Sequence, residues 1–187
     1  GTAGGYLFAA YLQDAQSRIA QYDFEGKLVR EVALPAIGSV SGFGGEKEDK
    51  EIYYSLTNYT APATIYRYDI ATGELDPLQA PRYASIPRSS PPSRSSIPRG
   101  RHAVPMFITR RKDMKLDGKN PCLLYGYGGF QINMTPGFSP AALMFVEQGG
   151  IYCVANLRGG SEYGESWHRA ACSRTSRMSS TTSSLRP

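Results

Sequence analysis

Residues 121–164, PCLLYGYGGFQINMTPGFSPAALMFVEQGGIYCVANLRGGSEYG, constrain the fold more than any other part of the chain. A short apolar run over 121–127 passes straight into a glycine turn, Tyr125-Gly126-Tyr127-Gly128-Gly129-Phe130. The spacing predicts a helix over 140–148: Ser139 can cap exposed backbone donors, Pro140 stands in the first turn, and Gly149-Gly150 stops it. A second apolar run over 151–155 returns to the sheet, and 165–169 begins another helix. Strand, glycine loop, helix, strand is half of an α/β sheet with an aromatic-glycine loop at a strand's carboxyl end. Open α/β sheets place their sites there.

The N-terminal part has a different rhythm. Residues 6–12, 18–24, 27–34, 51–56 and 64–70 read as short strands rich in Tyr, Ile and Thr, with turns at Glu25-Gly26, Asn58-Tyr59 and Thr72-Gly73. Strands at this spacing, with the repeated pairs Tyr22-Asp23 and Tyr68-Asp69, fit propeller blades of four antiparallel strands. The loop 38–50 carries Gly42-Phe43-Gly44-Gly45 but lacks the lysine-serine ending of a phosphate loop, and is read as a solvated connection. Further on, 105–110 reads as a strand and 113–120 as a polar turn.

The formal net charge of +5 raises the question of nucleic acid, and the location of the charge answers it. Residues 83–101 hold four arginines and residues 172–187 three, neither stretch with an acid; without those seven, 14 basic residues face 16 acidic ones. Ser, Pro and Arg fill fourteen of the nineteen positions 83–101, and neither stretch has an apolar period that makes a helix or strand face. Both are read as translated out of frame, with a genuine Ser-Arg linker as the competing reading. The expected organisation is therefore 1–82, a run of strands; 83–102, an irregular segment; 103–171, the α/β part; and 172–187, an irregular tail. Cys122, Cys153 and Cys172 are too few and too scattered for a disulfide framework or a metal site. No signal peptide or membrane span is visible, so the expected setting is cytoplasmic, with no membrane and no nucleic acid among the partners.

Tyr-Gly-Tyr-Gly-Gly-Phe over 125–130, followed by Ala155-Asn156-Leu157-Arg158-Gly159-Gly160 and Glu162-Tyr163-Gly164, resembles the prolyl oligopeptidase family of serine peptidases. The resemblance runs to about residue 81, resumes near 104 and stops after about 171. It implies a partial α/β hydrolase fold, the N-terminal half of its sheet, preceded by the last blade or so of a seven-bladed β-propeller. Family chains are several times longer, so this one reads as a piece. By the resemblance the full-length protein is a monomeric endopeptidase that cleaves after proline in short proline-containing peptides, with no cofactor and no metal.

In such a fold the loop after this strand supplies a donor to the oxyanion that forms when a nucleophile attacks a carbonyl. The resemblance assigns that donor to the Tyr127 hydroxyl and the proline-ring contact to Phe130. Gly126, Gly128 and Gly129 give the loop its backbone freedom and close approach. Arg158, Glu162 and Tyr163 either shape the site or tie down the next loop, and the structural role is the favoured reading. His168 precedes the place of the nucleophile, whereas the base follows it in this fold, so His168 is set aside. The sequence contains no Gly-x-Ser-x-Gly, Ser161 lacks the closing glycine, and the acid and base that the family places after its nucleophile are absent too. The chain alone is expected to hydrolyse nothing. The alternative is a noncatalytic, β-rich interaction fragment or the product of a decayed gene.

Overall fold

The structure is a computed structural model that describes residues 1–79, 93–99 and 102–171. The described residues form two compact units, one of residues 1–79 with 136–138 and one of the remainder. The sequence readings of the tail 172–187, Cys172 within it, and of residues 80–92 and 100–101 lie outside the described residues.

The first unit holds two four-stranded antiparallel sheets. One is a meander of β1 (Thr2–Ala3), β2 (Tyr6–Gln13), β3 (Gln16–Tyr22) and β4 (Leu28–Glu31). The other is a meander of β5 (Ser39–Ser41), β6 (Glu51–Thr57), β7 (Thr64–Asp69) and β8 (Leu75–Gln79). Strands that the sequence groups into the last blade or so thus build two blade-like sheets. Asp14 and Ala15, both at φ 59°, turn β2 into β3 with Gln13 opposite Gln16, the two-residue hairpin whose twist matches that of its strands.

Alternation along β6 buries Ile52, Tyr54 and Leu56 and turns Tyr53 outward. These three join Phe8, Ile19 and Val32 from the first sheet and Tyr68 and Ile70 from the second in one core, so each sheet covers the apolar face of the other. Phe43 stacks on Tyr54 at 4.6 Å and Tyr54 on Tyr66 at 5.4 Å between ring centroids. The buried Gln21 accepts from the Tyr68 hydroxyl at 2.7 Å and donates to the Ile70 carbonyl at 3.1 Å, a polar tie inside that core.

The second unit is built on a sheet ordered β11-β12-β10-β9, from β9 (Ser93–Arg99), β10 (His102–Thr109), β11 (Cys122–Tyr127) and β12 (Ile151–Asn156). β11 and β12 are parallel, joined through α1 (Pro140–Glu147), whereas β10 runs antiparallel to both of its neighbours. The strand β9 corrects the reading of 83–102 as irregular throughout. Its backbone pairs with β10 from His102↔Arg99 to Ile108↔Ser93, and ladder hydrogen bonds need no apolar side-chain period. Pro98 is tolerated because β9 lies on the sheet's edge.

Helix α1 starts and stops as its sequence dictates. The Ser139 hydroxyl accepts from the Ala142 amide at 3.3 Å, and Pro140 fills a position whose N–H has no helical acceptor. At the other end Gly149 adopts φ 92°; its amide donates to the Val146 carbonyl and that of Gly150 to the Phe145 carbonyl, each at 3.0 Å. That pair of bonds is a Schellman closure. Ala142, Leu143 and Val146 are buried, and the helix packs on β12, which buries Cys153, Val154, Ala155 and Asn156. Two parallel strands with a covered crossover bring their carboxyl ends, and the loops that follow, to the same edge of the sheet.

Candidate functional site

The register sets the site. Tyr127 ends β11 opposite Asn156, which ends β12, so the 128–134 loop and the 157–164 loop leave the sheet side by side. A dense set of hydrogen bonds joins them. The Gln131 amide donates to the Gly159 carbonyl at 3.0 Å. Ser161 donates to Asn133 Oδ1 through both its amide and its hydroxyl, each at 2.9 Å. Glu162 Oε1 accepts from the Met134 amide at 2.9 Å and from Asn156 Nδ2 at 3.3 Å, and Asn156 Nδ2 also donates to the Met134 carbonyl at 2.8 Å. Glu162 is 4% exposed and Asn156 fully buried. A buried carboxylate is costly unless it is hydrogen-bonded, and here it serves as an acceptor for the backbone of the facing loop.

The glycines permit this proximity. A Cβ on Gly128 falls against the Arg158 carbonyl and 2.7 Å from Leu157 Cβ, and one on Gly159 lies 2.7 Å from the Gly128 carbonyl oxygen. Gly159 also stands at φ 108°. The two loops therefore touch backbone to backbone where any side chain would part them.

From this braced platform the aromatic residues project outward. Phe130 is 86% exposed and holds φ 50°, followed by Gln131 at φ 59°. Two successive non-glycine residues in the left-handed region are an uncommon conformation, sustained here by the bonds on both sides of them. The Tyr127 ring is partly exposed, and among the described residues no hydrogen bond engages its hydroxyl. A Cβ on Gly129 would lie 3.5 Å from that hydroxyl, in ordinary contact, so this glycine is not required by crowding. Beside the loop, Leu124, Tyr125, Gly126, Ala155 and Leu157 line an open apolar hollow of about 190 Å³.

The second loop is fixed in turn by α2 (Glu165–Arg169). Trp167 Nε1 donates to the Leu157 carbonyl at 3.1 Å, while the Tyr163 ring and the Arg158 guanidinium lie 4.9 and 5.4 Å from the Trp167 ring. His168 Nδ1–H donates to the Gly159 carbonyl at 2.8 Å, which fixes the tautomer at that nitrogen. Arg158, Glu162, Tyr163 and His168 thus all brace the loops. Sequence reasoning left Asn133 and Asn156 without a role, because their partners stand 28 and 22 residues away. Asn133 begins an Asn-Met-Thr triplet and Asn58 an Asn-Tyr-Thr triplet; the Asn58 side chain is buried and accepts from Thr60 and Ala61.

No helix among the described residues is long and apolar enough to cross a membrane. A family model described as the prolyl oligopeptidase N-terminal beta-propeller domain matches residues 1–81, and the model of the prolyl oligopeptidase family matches residues 136–178, reaching into the 172–187 tail. The chain is 46% identical over 170 residues to a prolyl endopeptidase of Elizabethkingia meningoseptica, covering 90% of this chain and 24% of that protein. It is 47% identical to that of Elizabethkingia miricola over the same coverage. The chain thus spans about a quarter of the length of these relatives. Among solved structures, one from a study of two prolyl endopeptidases superposes with a TM-score of 0.83 at 37% identity, covering 96% of this chain and 27% of that one. Prolyl oligopeptidase B from Galerina marginata, bound to a 25mer macrocyclization substrate, gives 0.82 at 28% identity, covering 94% and 25%. Two family models in chain order, together with relatives aligned across most of the sequence, show that this chain belongs to the prolyl oligopeptidase family.

Proposed function

We propose that this chain supplies the oxyanion side of a serine-type endopeptidase that cleaves after proline in short proline-containing peptides. In this reading the Tyr127 hydroxyl donates to the tetrahedral oxyanion and Phe130 packs against the substrate's proline ring. Gly126, Gly128 and Gly129 shape the loop between them. The observation that carries it is the 128–134 loop, clamped by Asn156, Gly159 and Glu162 while Phe130 stands 86% exposed. A donor lowers a barrier only if it is already aimed when charge develops, and bracing from a neighbouring loop provides that aim. The setting is cytoplasmic and the full-length enzyme monomeric. Nucleophile, acid and base lie outside this sequence, which contains no Gly-x-Ser-x-Gly, so the chain by itself hydrolyses no peptide bond.

The test places residues 103–171 in the aligned position of the Elizabethkingia meningoseptica prolyl endopeptidase and follows hydrolysis of a chromogenic prolyl peptide. Tyr127→Phe should lower kcat by about 10²–10³ with little change in KM, the loss typical of one oxyanion donor. Phe130→Ala should act chiefly on kcat/KM for proline relative to alanine at the cleaved position. A Tyr127→Phe chimaera as active as its parent would remove Tyr127 from the mechanism.

A further inference from the structure

The tip of the 128–134 loop is a turn of the less common hand. Phe130 and Gln131 stand at φ 50° and 59°, and the Ile132 amide donates to the Gly129 carbonyl at 3.0 Å. Two positive φ angles inside that closing bond are the signature of a type I′ turn, which Asn-Gly favours because both residues accept the left-handed region readily. Phe-Gln does not share that tolerance, so the turn is strained and is held from outside.

The hold comes from the facing loop, which grips both peptide groups of Gln131. Its amide donates to the Gly159 carbonyl at 3.0 Å, and its carbonyl accepts from the Ser161 hydroxyl at 3.2 Å. The same hydroxyl reaches Asn133 Oδ1 at 2.9 Å, where the Ser161 amide also donates at 2.9 Å. One serine thus holds the turn at Gln131 and the chain that leaves it at Asn133.

We propose that Ser161 is a positioning residue: its hydroxyl keeps the 129–132 turn in the left-handed form and thereby holds Phe130 where a substrate's proline ring packs. The proposal rests on the reading of Phe130 given above. A right-handed turn is the mirror image of this one, so relaxation carries the Phe130 ring to the other side of the loop backbone. Strain at two residues narrows the gap between the two forms, and across a narrow gap the loss of one hydroxyl shifts the population. Gln131→Gly removes the strain at the second central position, because glycine takes positive φ about as readily as negative. The turn's dependence on Ser161 should then fall.

The chimaera that carries residues 103–171 tests this through two readouts. Amide exchange at Ile132 reports opening of the turn, and the ratio of kcat/KM for proline over alanine at the cleaved position reports the placing of Phe130. Ser161→Ala should speed Ile132 exchange by about two- to tenfold, the range for one neutral hydrogen bond, and should lower the ratio in the same direction as Phe130→Ala. In a Phe130→Ala background the same change should leave the ratio where it stands, and in a Gln131→Gly background both effects should shrink. A Phe130→Ala chimaera with the parental ratio would overturn the reading of Phe130 and this proposal with it. Where Phe130→Ala does lower the ratio, three results would overturn this proposal alone: an unchanged ratio in Ser161→Ala, unchanged Ile132 exchange in Ser161→Ala, or Ser161→Ala effects that are equal with and without Gln131→Gly.

Discussion

Replacing Glu162 by alanine removes the acceptor that holds the 128–134 loop to the 157–164 loop. Two donors lose their partner, the Met134 amide at 2.9 Å and one N–H of Asn156 at 3.3 Å, while Asn156 keeps its shorter bond to the Met134 carbonyl. Orphaning a buried amide costs about 1–3 kcal/mol, and the longer second bond adds about 0.5–1.5 kcal/mol. Removing a buried carboxylate offsets part of this, because its desolvation is relieved. A net local loss of about 1.5–3 kcal/mol corresponds to roughly 10–150-fold faster opening at 1.4 kcal/mol per decade, read as amide exchange at Met134 and Gln131. Glu162→Gln retains a carbonyl acceptor and should lose less than the alanine variant. Amides in the first unit, such as that of Tyr68, should not change. Unaltered exchange at Met134 in Glu162→Ala, or acceleration spread evenly over both units, would refute the clamp.

Three further outcomes are expected. Gly149→Ala forces a side chain to φ 92° at the Schellman closure and should lower the melting free energy of the second unit by about 1 kcal/mol or more, measured by urea titration. Asn58→Ala strips a buried oxygen that accepts from two amides and a hydroxyl and should destabilise the first unit by about 2–4 kcal/mol, against less than 1 kcal/mol for the exposed Lys47→Ala. Burial, and after it the neighbouring Tyr66 and Tyr68 phenols, raises the Tyr54 phenol above its ordinary 10.0. With the folded value above the unfolded one, this stabilisation is complete below about pH 10 and declines above it by up to about 1.4 kcal/mol per pH unit. Tyr54→Phe should flatten that decline in urea titrations between pH 9 and 11, and an unchanged slope would assign it elsewhere.

The sequence was legible where side chains alone dictate the structure. The strands β2, β3, β6 and β7 announce themselves by apolar and β-branched residues, and α1 by Ser139, Pro140 and Gly149, because capping and alternation are local rules. The strands β1, β5, β8 and β9 were not visible. Two are only two and three residues long, β8 contains Pro77, and β9 has no apolar period, so all four exist through backbone pairing with a neighbour that the sequence does not name. Motif resemblance located the 125–130 loop and its aromatic residues, yet not what holds them. Asn133–Ser161, Met134–Glu162 and Cys122–Cys153 each join residues 28 to 31 positions apart, a separation that belongs to the crossover and to no local period.

That separation also acts during synthesis. The loop with Tyr127 and Phe130 leaves the ribosome before any group that braces it, since the Met134 and Asn133 partners come 28 residues later. At about 5–20 residues per second the loop stays unclamped for roughly 1.5–6 s, with Phe130 and the apolar strand β11 open to any passing chain. A synonymous codon change that slows translation between residues 134 and 162 would lengthen this exposure without altering a single side chain. The yield of folded protein from such a gene should therefore depend on elongation rate across α1 and β12.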